Sequence, residues 1–137
     1  MATALPSPRR TILVVDDEPE VLRLFKRILS AENALILAAQ DGTEALEIAR
    51  KTRLDLVILD VKLPDVSGTE VLRRLRRIDD GLPVIMITSY GSAETVRTSM
   101  KLGAFDYLTK PFDNQEIRRV AREALASRLS GPIPLRA

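Results

Sequence analysis

The chain has 137 residues, the size of one compact domain, and 45% of them are hydrophobic, enough to build a core. It contains no cysteine and no histidine, which excludes disulfides, thiolate chemistry, imidazole bases, Ser-His-Asp triads, histidine metal sites and service as a phosphohistidine carrier. The net charge of +2 comes from Arg9, Arg10 and Arg136 in the flanks: from Thr11 to Leu129, 18 basic residues face 19 acidic ones, so charge makes no case for nucleic-acid binding.

Residues 1–10, with Pro6 and Pro8, read as a flexible tail without the apolar stretch of a signal peptide. Thr11 to Val15 is the first candidate strand, and it ends in Asp16-Asp17-Glu18. Pro19 suits the first turn of the helix that follows, in which Val21, Phe25, Ile28 and Leu29 share a face. Ala34 to Ala39 is the second strand, ending in Gln40, and Asp41-Gly-Thr-Glu44 opens the second helix by setting a capping oxygen three residues before a glutamate. Leu54 to Leu59 is the third strand and delivers Asp60; Ser67-Gly-Thr-Glu70 opens the third helix, whose apolar face is expected to hold Leu72, Leu75 and Ile78. Pro83 to Thr88 is the fourth strand, ending in Thr88-Ser89, and Gly103 suits the left-handed end of the fourth helix. Phe105 to Leu108 is the fifth strand, running into Thr109-Lys110-Pro111. Asp113-Asn-Gln-Glu116 then opens the last helix, which aligns Ile117, Val120, Ala121, Ala124 and Leu125. Residues 130–137, with Gly131, Pro132 and Pro134, read as a second flexible tail or the start of a linker.

The first, third and fourth runs are almost continuously apolar, as strands covered on both faces should be. Residues 11–129 are therefore expected to form one α/β domain, a doubly wound five-stranded parallel sheet with helices on both faces. No apolar run nears the ~18 residues of a membrane span, and a soluble, cytoplasmic protein is expected.

In such folds the site lies beyond the carboxyl ends of the strands. The residues found there are Asp16, Asp17, Asp60, Thr88, Ser89 and Lys110. Two unit charges ~5 Å apart at an effective dielectric of ~20 repel by roughly 3 kcal/mol, so gathered carboxylates call for a cation. Magnesium suits oxygen ligands and leaves room for phosphate oxygens. Carboxylate, Mg²⁺, lysine and threonine together make a constellation for receiving a phosphoryl group, with a carboxylate as nucleophile and Ser89 small enough to leave access open. Each residue alone has a plain structural reading: a helix-start acid, a turn residue, a strand-end hydroxyl, a surface lysine. Four such residue types at the functional strand ends argue jointly for a site.

The motifs Val15-Asp16-Asp17-Glu18, Leu59-Asp60-Val-Lys-Leu-Pro64-Asp-Val-Ser-Gly68, Thr88-Ser89-Tyr90 and Tyr107-Leu-Thr-Lys110-Pro111-Phe112 resemble, in order and spacing, the receiver domains of two-component response regulators. The stretch from Thr88 to Phe112 is most similar to receivers of nitrogen-regulator-type transcription activators. The resemblance implies a flavodoxin-like (βα)5 fold with strand order 2-1-3-4-5. It also implies phosphoryl transfer to Asp60 from a sensor histidine kinase or phosphotransfer protein. Mg²⁺ would be ligated directly by Asp17, Asp60 and the backbone carbonyl of Lys62, with Asp16 acting through a bound water. Lys110 would hold a phosphoryl oxygen before a cis Lys110–Pro111 peptide. Thr88 would move toward the phosphoryl group and Tyr107 would turn inward, altering the face of the fourth helix, fifth strand and fifth helix for a downstream effector domain or protein. Only self-phosphorylation and self-dephosphorylation chemistry is implied, not turnover of a substrate.

The Lys62 side chain is expected in solvent. Phe105-Asp106 stands where receivers that dimerise through paired salt bridges carry two acidic residues, which argues against that dimer while leaving a phosphorylation-dependent homodimer open. Arg97, Lys101, Arg118 and Arg119 make the same face basic, and Arg73, Arg74, Arg76 and Arg77 form a basic run read as a solvated helix face. No appended helix-turn-helix supports direct nucleic-acid binding. The rivals are a Mg²⁺-dependent aspartyl-phosphate phosphatase of the haloacid-dehalogenase type, a flavodoxin-like cofactor domain, and a receiver-like interaction module that works without phosphorylation. The first resembles Asp-x-Asp where this chain has adjacent aspartates. The second would meet repulsion between cofactor phosphate and Asp16-Asp17-Glu18.

Overall fold

The computed structural model describes residues 9–89 and 91–130, without the side chains of residues 129 and 130. The expected tail segments 1–8 and 131–137 lie outside the described residues, as does Tyr90. In chain order the elements are β1 (Arg10–Val15), α1 (Pro19–Leu29), β2 (Ala34–Ala39), α2 (Gly42–Lys51), β3 (Leu56–Asp60), α3 (Gly68–Ile78), β4 (Val84–Thr88), α4 (Ala93–Lys101), β5 (Asp106–Thr109) and α5 (Asn114–Ser130). The strands form one parallel sheet in the order β2-β1-β3-β4-β5. The sheet begins one residue before the expected boundary: Arg10 belongs to β1, and its guanidinium donates to the Leu125 carbonyl of α5 at 2.8 Å.

Strand alternation divides the core into two layers. Ile12, Val14, Ile58, Ile85 and Ile87 pack toward α1 and α5, where they meet Phe25, Ile28, Leu29, Val120, Ala121 and Ala124. Leu13, Val15, Val57, Leu59, Val84 and Met86 pack toward α2 and α3, where they meet Ala45, Leu46, Val71, Leu72 and Leu75. β3 and β4 are buried along their whole length, which accounts for their continuously apolar sequences. At the edge, β2 leaves Leu35 43% exposed.

Local capping follows the sequence closely. Asp41 Oδ1 accepts from the Glu44 amide at 2.8 Å, Ser67 Oγ from the Glu70 amide at 3.2 Å, and Pro19 starts α1. Gly103 adopts φ 87 just after α4. One expected face is corrected. Ile78, at the end of α3, is 37% exposed, and Val71 takes the buried place beside Leu72 and Leu75. The helix terminates at Ile78, whose side chain lines an open hollow with Ala49, Leu54 and Leu82.

The basic run on α3 is not uniformly solvated either. Arg73 and Arg74 pair with Glu70 one turn earlier, the latter at 3.0 Å. Arg76 instead lies across the far end of the domain. Its Nε donates to the Leu102 carbonyl at 3.2 Å, Nη2 to Gly103 at 3.2 Å, and Nη1 to Asp80 at 2.9 Å. A helix-face residue at this position reaches the α4–β5 turn because the two segments adjoin at the strands' amino ends. Beside it, Arg128 of α5 pairs with Asp79 at 2.5 Å and donates to the Leu54 carbonyl at 3.0 Å, and this partner holds the Asp79 carboxyl below its usual range. No helix among the described residues is long and apolar enough to cross a membrane.

Candidate functional site

The carboxyl ends of β1, β3, β4 and β5 bring Asp16, Asp60, Thr88 and Lys110 to one edge of the sheet. Each is set by an ordinary strand-end contact: the Asp16 amide donates to the Ala39 carbonyl at 3.0 Å, the Val61 amide to Ile87 at 2.9 Å, and the Lys110 amide to Thr88 at 2.7 Å. Asp16 is 0% exposed, and Asp60 and Thr88 are each 4% exposed. The Lys110–Pro111 peptide is cis.

Lys110 is the hub. Its Nζ donates to Asp16 Oδ2 at 3.0 Å, Glu18 Oε1 at 3.0 Å and Asp60 Oδ2 at 3.2 Å. Burial works against the ammonium, but hydrogen bonds to Asp16 and Glu18 and the charges of Asp16 and Asp60 outweigh it and hold its pKa above the ordinary value. Burial also pushes the Asp16 carboxyl up to about 6, aided by the charge of Asp60 and opposed by the Glu18 amide and Lys110. The Asp60 carboxylate is held from two sides, with Lys110 on Oδ2 and the Lys62 amide on Oδ1 at 3.0 Å.

A cleft of about 690 Å³ opens over this floor, lined by Asp17, Glu18, Asp60, Thr88, Ser89, Lys110 and the loop from Val61 to Pro64. Asp17, Ser89 and the Lys62 side chain are exposed. The Tyr107 ring lies one strand over and half-buried, and the Gly91 backbone runs against it: a Cβ there would sit 3.4 Å from Tyr107 Cε1. Burial raises the Tyr107 pKa, with the Thr88 hydroxyl acting against the shift. Gly68 matters for a different reason. A Cβ at that position would sit 2.2 Å from the Asp60 carbonyl oxygen, so only glycine lets the start of α3 approach the end of β3 this closely.

Three contributors escaped the sequence reading. Glu18, noted only as part of the acidic run, shares Lys110, and its position directly after the aspartate pair was the available signal. Ser92 and Thr95 of α4 line the cleft, and Ser92 caps its helix at the Thr95 amide at 3.0 Å. Nothing in their spacing marks them as site residues.

Carboxylate oxygens of Asp16, Asp17 and Glu18 can lie within 4.8 Å of one another, with Asp60 beside them. Three carboxylates share the Lys110 ammonium and Asp17 stands beside them, so the floor carries excess negative charge, and every donor is oxygen. That donor set fits a hard divalent cation such as Mg²⁺.

A model of the response regulator receiver domain matches residues 12–122. The sporulation initiation phosphotransferase F of Bacillus subtilis is 39% identical over 114 residues, covering 83% of this chain and 92% of that protein. PilR of Pseudomonas aeruginosa, one of several NtrC-family regulators among the relatives, is 37% identical over 120 residues, covering 88% of this chain and 27% of its own. The chain spans about half the length of two further relatives, both described as transcriptional regulatory proteins. Among solved structures, a CheY-like receiver from Methanospirillum hungatei superposes with a TM-score of 0.88 at 30% identity, covering 91% of this chain and 100% of the other. With the sheet order, the acidic floor and the family match in agreement along nearly its whole length, the chain belongs to the receiver domains of two-component response regulators, a family of signalling modules.

Proposed function

We infer that this receiver is switched by phosphorylation of Asp60. The observation that carries the reading is the placement of Asp60 Oδ2 3.2 Å from Lys110 Nζ at the floor of an open cleft, with Thr88 on the neighbouring strand end. A carboxylate oxygen of Asp60 forms the new O–P bond as the P–N bond of a donor phosphohistidine breaks, and the electron pair leaves with the imidazole nitrogen, which takes a proton from water. Lys110 holds a transferred oxygen and offsets its charge. Mg²⁺, when bound, supplies charge neutralisation at the phosphoryl oxygens. Asp17, Asp60 and the Lys62 carbonyl would hold it on this reading, with Asp16 supporting them from behind.

Thr88 and Ser89 face the incoming group from β4. Thr88 closing on it and Tyr107 filling the space behind would change the face made by α4, β5 and α5, where a downstream effector reads the state. Differential contact with the phosphoryl group is the energy source for that shift. The donor is a sensor histidine kinase or phosphotransfer protein in the cytoplasm. The only chemistry is gain and loss of the chain's own phosphoryl group.

Intact mass after incubation with acetyl phosphate tests the reading. Wild type should gain one base-labile phosphoryl group (~80 Da) only when Mg²⁺ is present, and Asp60→Asn should gain none. Wild type that stays unmodified by acetyl phosphate and unresponsive to beryllofluoride would leave a phosphorylation-independent interaction module.

A further inference from the structure

The loop between Asp60 and Gly68 is anchored at its base by the β4 backbone and by a bond that closes the loop on itself. The Val61 amide donates to Ile87, and the Gly68 amide returns to the Val61 carbonyl at 2.7 Å. Its outer limb is held elsewhere. Asp65 reaches across to the start of α2, 23 residues earlier in sequence, and accepts from the Gly42 amide at 2.9 Å through Oδ1. Its Oδ2 accepts from the Thr43 amide at 2.9 Å and from the Thr43 hydroxyl at 2.6 Å.

The amides that open α2 are thereby accounted for, because Asp41 of the helix's own cap takes the Glu44 amide. Asp65 is therefore not a duplicate cap but a second anion brought to the helix from the acceptor loop. Val66 completes the contact. A Cβ on Gly42 would sit 2.2 Å from Val66 Cγ1, so loop and helix touch with no room for a side chain between them. The three donors, led by the Thr43 hydroxyl, hold the Asp65 carboxyl down to about 2 and keep it ionised at neutral pH.

Resting on the phosphoacceptor reading of Asp60, we propose that Asp65 is a positioning residue. By pinning the outer limb of the loop to α2, it holds the Lys62 backbone in place, and with it the Lys62 amide on Asp60 Oδ1 and the Lys62 carbonyl assigned to Mg²⁺. The side chain touches neither phosphoryl group nor metal and acts only through the loop. Partners one layer out from a metal site commonly change affinity by 10–100-fold, and the lower end of that range is expected here because Lys62 contributes one ligand of several.

The test uses the full chain, with Mg²⁺ alone as probe, in Asp65→Ala, the isosteric Asp65→Asn and Thr43→Val. Amide exchange at Lys62 is followed by NMR, with the β1 amides of Leu13 and Val14 as internal reference. Both Asp65 variants should speed Lys62 exchange about tenfold over the β1 amides and raise the Mg²⁺ dissociation constant about tenfold. Thr43→Val, which removes one bond of three, should move both in the same direction by less. Faster exchange at Gly42 and Thr43 with Lys62 exchange and Mg²⁺ affinity at wild-type values would overturn the proposal and leave Asp65 a plain helix cap. Should wild type itself fail to bind Mg²⁺, the metal assignment falls separately, and Lys62 protection alone decides the role of Asp65.

Discussion

Asp16 has no exposed surface, and burial, more than the cation and the second carboxylate it faces, sets its titration. Its carboxyl is raised from 3.8 to about 6, so the folded state binds the proton more tightly than the unfolded chain does. Stability from this group is full below about pH 4 and is lost as pH rises to about 6. Asp16→Asn should therefore stabilise the metal-free protein at pH 7 by on the order of 1–3 kcal/mol and flatten its stability between pH 4 and 6, read by urea unfolding across pH. Asp65 has the opposite sign. Its carboxyl is lowered from 3.8 to about 2, so its contribution is present above about pH 4 and drains away as pH falls toward 2. The difference has a local cause: Asp16 is ionised against burial and a like charge, whereas Asp65 sits in the open against three donors.

Among the elements, α3 shows best what a periodic sequence can and cannot convey. The Ser67 cap, the Glu70 that follows and the buried Leu72 and Leu75 were all legible, because each depends on neighbours within a turn or two. Ile78 was misplaced because helix periodicity does not say where a helix ends. Arg76 looked like its solvated neighbours because its acceptors, the Leu102 and Gly103 carbonyls, lie 26 and 27 residues away. The site divides the same way. Asp16, Asp17, Asp60, Thr88 and Lys110 could be found because strand ends converge in this fold class, while the reach of Asp65 to Gly42 has no sequence period. Arg76→Met should cost about 2 kcal/mol, since it strands several carbonyls at the α4–β5 turn. Arg77→Met on the exposed side should stay within ~0.5 kcal/mol, and chemical denaturation of the pair separates the two roles.

Over the whole molecule, the acidic edge is a standing electrostatic cost that one lysine only partly offsets. A cation that binds the folded state alone should offset the remainder. At a hundredfold excess over its dissociation constant, Mg²⁺ should add ~2.7 kcal/mol to unfolding stability. Asp17→Asn should remove most of that gain, and equal gains in wild type and variant would show that the ion acts through general screening instead. The sheet order makes this edge possible: β1 and β3 lie side by side, so Asp16 and Asp60 are delivered next to each other although 44 residues of chain separate them.

The same arrangement sets a timetable for the growing polypeptide. Asp16 and its counter-ion Lys110 are 94 residues apart in sequence. At ~5–20 residues per second, translation leaves Asp16 without its cation for roughly 5–20 seconds. β2, β3 and β4 are all made in that interval, and β5, which leads into Lys110, comes last. The carboxylates gathered at the ends of β1 and β3 therefore gain their ammonium partner only once the chain has been made through β5.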